Sequence, residues 1–215
     1  MKKLLSQFLL VWLLGVSFLQ PTVLAQPIPA LHGIIDVARG YDSDAEAFFT
    51  ANTGVTNTTQ KNAVNKLVTD LKAASVWTKI FAIYPLVGGT ATTHSYNLKN
   101  PATFQITWNG TVTHNSNGIT GNGSTGYGDT GFNINTTGGS GFTSTSAAIG
   151  AYIRSSGGTG SMYIGSNYSY IYDAGGSLSV NVHNVNGGGG STISRLLIGS
   201  HLSGTTTSYR DGTSQ

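Results

Sequence analysis

The side chains able to do chemistry are few and scattered. The eight acidic residues include one glutamate, Glu46. A retaining glycoside hydrolase needs two carboxylates about 5 Å apart, one of them tuned as an acid. Glu46 falls in a stretch that reads as helix, and Asp129, Asp173 and Asp211 stand alone at apparent turns. The carboxylates present are therefore too few and too dispersed for that chemistry. The five histidines are His32, His94, His114, His183 and His201. None stands at metal-ligand spacing from another histidine or a carboxylate, so each reads as a surface or hydrogen-bonded ring. Cysteine is absent, which excludes a thiol nucleophile, a Cys-based zinc site and any disulfide. Gly187 to Gly190 lacks the Lys-Ser/Thr and the helix of a phosphate loop, and reads as a flexible turn.

One pattern carries a binding hypothesis. Tyr168, Tyr170 and Tyr172 alternate with Ser169 and Ile171, so in a strand all three rings project from one face. An exposed row of tyrosines can stack on sugar rings, each offering an apolar face and a hydroxyl. The same spacing also serves ordinary cross-strand packing or a half-buried core face.

The elements that must position these groups follow from composition. Only 9% of the 215 residues are charged, against roughly 25% in an ordinary globular protein. Gly, Ser, Thr and Asn take their place; these suit turns and strand edges and form helices poorly. A hydrophobic content of 39% argues against disorder. The net charge is +3, with the basic residues scattered. A nucleic-acid binder should show a clustered basic stripe, and none is present.

Met1-Lys2-Lys3, an apolar Leu4 to Leu19, Pro21 and Val23-Leu24-Ala25 have the order of an export signal cleaved after Ala25. The apolar core is too short to span a membrane comfortably, and no later segment could span one. Residues 26–41 read as a linker, with Pro27 and Pro29 blocking a helix start. Residues 42–85 read as a helical lead-in. Asp42 or Ser43 can cap a first helix that stops near Gly54. Asn57-Thr58-Thr59-Gln60 has the spacing of a capping box. Val64, Leu67, Val68 and Leu71 then share one helical face, which could pack on the rest of the chain or on a second subunit.

From residue 86 the texture is that of short strands between glycine-rich turns. Phe104, Ile106 and Trp108 share a face, and Asn109-Gly110 after them is a hairpin signal. Ala147, Ile149, Ala151 and Ile153 alternate, as do Met162 with Ile164, and Leu178 with Val180 and Val182. Residues 86–215 are therefore expected to form an antiparallel two-sheet jelly-roll sandwich, giving a mainly β chain preceded by a short helical segment. Tyr209-Arg210-Asp211-Gly212-Thr213 reads as a strand entering a tight turn. The expectation is that further strands belong beyond Gln215.

Two stretches resemble a known family. They are Ala63 to Asn100, with Trp77-Thr78-Lys79, Tyr84-Pro85 and Val87-Gly88-Gly89-Thr90, and Trp108 to Thr130, with Asn122-Gly123 and Gly126-Tyr127-Gly128-Asp129-Thr130. Together they resemble bacterial and phage proteins with a concanavalin A-like (laminin-G-like) jelly roll. The closing Tyr209 to Thr213 resembles a laminin-G hairpin. The resemblance implies a two-sheet sandwich, whose relatives bind glycans or proteins, serve as display modules or, more distantly, hydrolyse glycosides. Fold alone does not decide among these. Calcium is the metal such a fold would take, through oxygen ligands, and Asp129, Asn133 and Asp173 are its candidates here. The expectation is a secreted or bacterial cell-surface, non-catalytic recognition or adhesion module. A fibre or surface-layer module without a ligand is the alternative. A hydrolase with its carboxylates in further C-terminal strands comes third.

Overall fold

Capping side chains start the helices where the sequence places them. In the computed structural model, Asp42 accepts a hydrogen bond from the Asp44 N–H at 3.0 Å and opens α1, Ser43–Ala51. The Asn57 side chain accepts from the Gln60 N–H at 3.1 Å and opens α2, Thr58–Ala73. The structure describes residues 40–133, 146–155, 157–158, 160–165, 169–175, 178–182, 185–190, 195–203, 205–210 and 213–214. The export signal, nearly all of the linker, His32, Tyr168 and His183 lie outside them.

The capping box of α2 is half made. Gln60 does not return a bond to Asn57; its Oε1 accepts from the Gly88 N–H at 3.2 Å. A local reciprocal bond gives way to one that ties α2 to a turn 28 residues on. Val64 and Val68 are buried, and Leu67 and Leu71 are half-buried. The elements against α2 are α1 and a 3-10 turn, Trp77–Lys79. The apolar stripe is thus covered within the lead-in at two of its four positions. Lys72 bridges Asp42 at 2.6 Å and Asp44 at 2.5 Å. These bonds raise the Lys72 pKa; burial works against Asp42, but Lys72 and the Asp44 N–H hold it below the usual range.

Beyond Pro85 the sequence predicts strands, and the chain first makes a helix, α3, Ala91–Ser95, closed by a Thr90–Thr93 capping box. Two small ribbons follow. β1 (Thr107–Asn109) pairs with β4 (Tyr127–Asp129), and β2 (Val112–Asn115) pairs with β3 (Gly118–Gly121). The expected hairpin at Asn109-Gly110 does not form, since β1 and β2 belong to different ribbons. Gly110 has φ +59°, and a Cβ there would lie 2.2 Å from the Thr125 carbonyl oxygen. Its glycine serves a backbone crossing, not a two-residue turn. Phe104 lies outside β1, at a positive φ of 54°.

The later strands are β5 (Ser146–Ile153), β6 (Met162–Gly165), β7 (Tyr170–Asp173), β8 (Leu178–Val182), β9 (Val185–Gly190), β10 (Arg195–Leu202), β11 (Thr205–Arg210) and β12 (Thr213–Ser214). They form two four-stranded sheets, ordered β12-β11-β10-β5 and β6-β7-β8-β9, with every pairing antiparallel. Ala147, Ile153, Ile171, Leu178, Val180, Val182 and Leu197 make one buried cluster drawn from both sheets. The chain is therefore mainly β and antiparallel, with a short helical segment ahead of the strands. The alternation read in β5 and β8 places its apolar residues in or against this cluster. The return strand after Asp211-Gly212 is present as β12, with Arg210 opposite Thr213.

Two local expectations fail. Met162 and Ile164 are 61% and 38% exposed, and Tyr163 between them packs on the core instead. A register shift between Met162 and Ile164 marks a bulge in the β6–β7 pairing, and bulges re-aim side chains. Gly187 to Gly190 is no turn. It belongs to β9, where Gly189 pairs with Ser179 and Gly190 with Leu178. Ladder bonds need no side chain, so a glycine run can pair where β8 supplies the partner.

Candidate functional site

The β7 strand sorts its side chains by parity. Ile171 and Asp173 are buried at 0% and 1%, whereas Tyr170 and Tyr172 are half-buried on the opposite face. Directly opposed residues of an antiparallel pair share a face. Tyr172 stands opposite Met162 on β6 and Ser179 on β8, and Tyr170 opposite Gly165 and Asn181. A Cβ at Gly165 would lie 2.5 Å from Tyr170 Cβ, so the missing side chain leaves room for the ring. The two rings meet edge to face at 5.5 Å between centroids, a favourable aromatic geometry. Beside them the buried Asn181 Oδ1 has no hydrogen-bond partner among the described residues. An unmet buried acceptor is costly, and a ligand hydroxyl reaching it would satisfy it. This face combines aromatic area, an exposed thioether and polar Asn and Ser side chains. Sequence reading found the tyrosines; Met162, Gly165 and Asn181 needed the register.

The histidines give a second cluster. His94, on α3, is fully buried, and its Nδ1 lies 3.1 Å from Nδ1 of His114 on β2. The Gly89 N–H donates to His94 Nε2 at 3.2 Å. That bond requires the lone pair on Nε2 and the proton on Nδ1. His94 Nδ1–H therefore donates to His114 Nδ1, and His114 carries its own proton on Nε2. The Trp108 ring meets His114 edge to face at 4.6 Å, and its Nε1–H donates to the Ala91 carbonyl at 2.8 Å. The tautomers limit the chemistry. His114 Nε2 is a donor, so it cannot act as a general base in this state. A metal between the rings would need a lone pair on both Nδ1 atoms, moving the His94 proton to Nε2, where the Gly89 N–H already points. Burial, and next the charge of His114, push His94 down to about 4; burial also lowers His114.

The sign for stability follows directly. Between pH 6.5 and about 4 the folded chain holds fewer protons than the unfolded chain, because His94 titrates lower when folded. Stability is fully present above the unfolded pKa and is lost as the pH falls. The expected loss at His94 by pH 4 is about 3 kcal/mol. Urea unfolding at pH 7 and pH 4.5 should show a lower midpoint in acid, and replacing His94 with a non-titrating residue should flatten that difference.

The calcium candidates lie on separate elements. Asp129 ends β4 and is exposed, accepting from the Gly131 N–H at 2.8 Å. Asn133 is exposed beyond it. Asp173 ends β7 in the other kind of sheet, buried, its Oδ1 accepting from the Gly175 N–H at 3.0 Å. Among the described residues no three His, Asp or Glu are grouped to hold a metal. Glu46 is exposed on α1. No helix among the described residues is long and apolar enough to cross a membrane. No family model, no curated protein and no solved structure matches the chain.

Proposed function

We propose that the chain is a secreted or cell-surface recognition module of the concanavalin A-like kind, non-catalytic, which binds carbohydrate on the outer face of the β6–β9 sheet. The observation that carries this reading is the Tyr170–Tyr172 pair on the face turned away from the core, flanked by Met162, Asn181 and Ser179. Aromatic area next to amide and hydroxyl groups suits a ligand with apolar ring faces and hydroxyl edges. A glycan array probed with the chain from Gln26 onward should give reproducible hits. Tyr170→Ala with Tyr172→Ala is expected to weaken them about tenfold or more, with the circular dichroism unchanged. Equal binding by the double variant would sink the assignment of this face.

A second reading has its own observation. The outer face of the other sheet carries Tyr152, 65% exposed, opposite Leu196, 41% exposed, with Leu202 and Tyr209 also exposed. Exposed apolar residues on one face favour association with protein, as in a fibre or surface layer. A stable oligomer by light scattering, dispersed by Tyr152→Ser with Leu196→Ser, would favour that structural role over a glycan ligand.

A further inference from the structure

The ribbon β2–β3 has two strands only, Val112–Asn115 and Gly118–Gly121, and an isolated two-stranded hairpin is marginally stable at best in water. What ties it to its surroundings therefore decides whether it stays in place. One tie is Arg154, which reaches Asn117 Oδ1 at 2.9 Å. Another is the close approach of Gly89 to Ser116, whose backbone nitrogen would lie 3.3 Å from a Cβ on Gly89. The third is the hydrogen-bond chain from Gly89 N–H through His94 to His114, set against Trp108. It joins the Gly88-Gly89 turn and α3 to β2.

This chain has no room for an added proton. If His114 is protonated, its Nδ1–H faces the Nδ1–H of His94 at 3.1 Å. If His94 is protonated, its Nε2–H faces the Gly89 N–H. Each event replaces a hydrogen bond by two opposed donors, and each puts charge on a desolvated ring. The groups around the pair do not offset it. α3 brings His94 as its titratable group, β1 brings the uncharged Trp108, and the Gly88-Gly89 turn brings none. Asp129, on β4 across β1, is exposed and engaged with the Gly131 N–H. Among the described residues, burial and then the charge of His114 account for the state of His94, and burial alone for that of His114.

We propose that His94 and His114 form an acid-released latch, which holds the β2–β3 hairpin against α3 while both rings are neutral and frees it when either takes a proton. The pair is a conformational device and contributes no residue to the proposed tyrosine face.

Side-chain nitrogen NMR on the histidine-labelled protein tests the latch without any mutation. At pH 7.5 it should show His94 protonated at Nδ1 and His114 at Nε2. Both rings should change state together, at a midpoint below the ordinary histidine value. Across that midpoint, amide protection over residues 112–121, corrected for intrinsic exchange, should fall about tenfold or more while β8 stays protected. Either ring in the other tautomer, or two independent midpoints near 6.5, would overturn the proposal. So would protection that falls equally in β8, since that is global unfolding. In His94→Asn/His114→Asn, which cannot titrate, the step should vanish; its persistence would also overturn the latch.

Discussion

Gly199→Ala is expected to cost the fold about 3 kcal/mol, the upper part of the range for overpacking. Gly199 lies on the core face of β10, where an added Cβ would sit 2.2 Å from Val180 Cγ2 and 2.7 Å from Val182 Cγ2 on the facing sheet. Neither valine can turn away freely, because both are fully buried in the shared cluster. The sheets must separate locally, which strips contacts from Leu197 and Ile171 as well. For a chain of this size the melting temperature should fall by roughly 6–12 °C. Val180→Ala alone leaves a cavity and costs about 2–3 kcal/mol. The double variant supplies the sharper test. Removing Val180 Cγ2 gives the new methyl its room, so the two changes together should cost clearly less than their sum. Strict additivity would mean that Gly199 is not where the sheets touch.

Gly199 also shows what sequence can and cannot say here. The alternation of Leu178, Val180 and Val182 marked one face of β8 as core, because burial on one side of a pleat imposes a period of two. Nothing in the residues near Gly199 says that it faces Val180, since that contact is set by how two sheets stack. The first two helices were legible for the same local reason, whereas α3 was not. Asp42 and Asn57 are caps, and the bonds they make span two or three residues. Where a partner lies far along the chain, local reading failed. Gln60 bonded Gly88 in place of Asn57, and Asn109-Gly110 became a crossing beside Thr125 in place of a hairpin. The bulge in β6 set Met162 opposite the outward Tyr172 and Ile164 opposite the buried Ile171, a slip that no composition signal announces.

The two candidate sites differ in the same way. Tyr170 and Tyr172 share a strand, so their common face was readable from their spacing alone. Their flanking residues come from β6 and β8 and depend on register. His94 and His114 are 20 residues apart on a helix and a strand, with no periodicity to link them. The signal available was weaker: a Gly-Gly turn followed by a threonine pair able to cap a short helix, which places His94 on that helix's inner side. The reading of each histidine as hydrogen-bonded was compatible with this pair, but it did not foresee that the partner would be another histidine.

Asn97→Leu should be among the most damaging changes in the region between the helices and the strands. Asn97 is fully buried. Its Oδ1 accepts from the Ile83 N–H and the Lys99 N–H, each at 3.0 Å, and its Nδ2 donates to the Thr103 carbonyl at 3.3 Å. Beside it the Leu98 N–H bonds the Ile83 carbonyl at 2.8 Å, with Leu98 itself fully buried. One amide side chain thus does for three segments what a neighbouring strand would otherwise do. Leucine keeps the branched outline but carries two bulkier methyl groups into a full site, and two backbone donors and one acceptor lose their partner. Each orphaned group costs about 1–3 kcal/mol. Ile83 and Lys99 are only half-buried, and water can reach part of what is freed, so the expected total is about 3 kcal/mol. Asn97→Asp keeps both accepting bonds and loses only the longer one to Thr103, at the cost of a buried charge. It should therefore be the milder change at neutral pH. Urea unfolding gives the ranking, and amide exchange at Ile83 and Lys99 locates it: both amides should lose protection in the leucine variant and keep it in the aspartate variant. If leucine proved as stable as asparagine, the side chain would not be the link that holds these segments together.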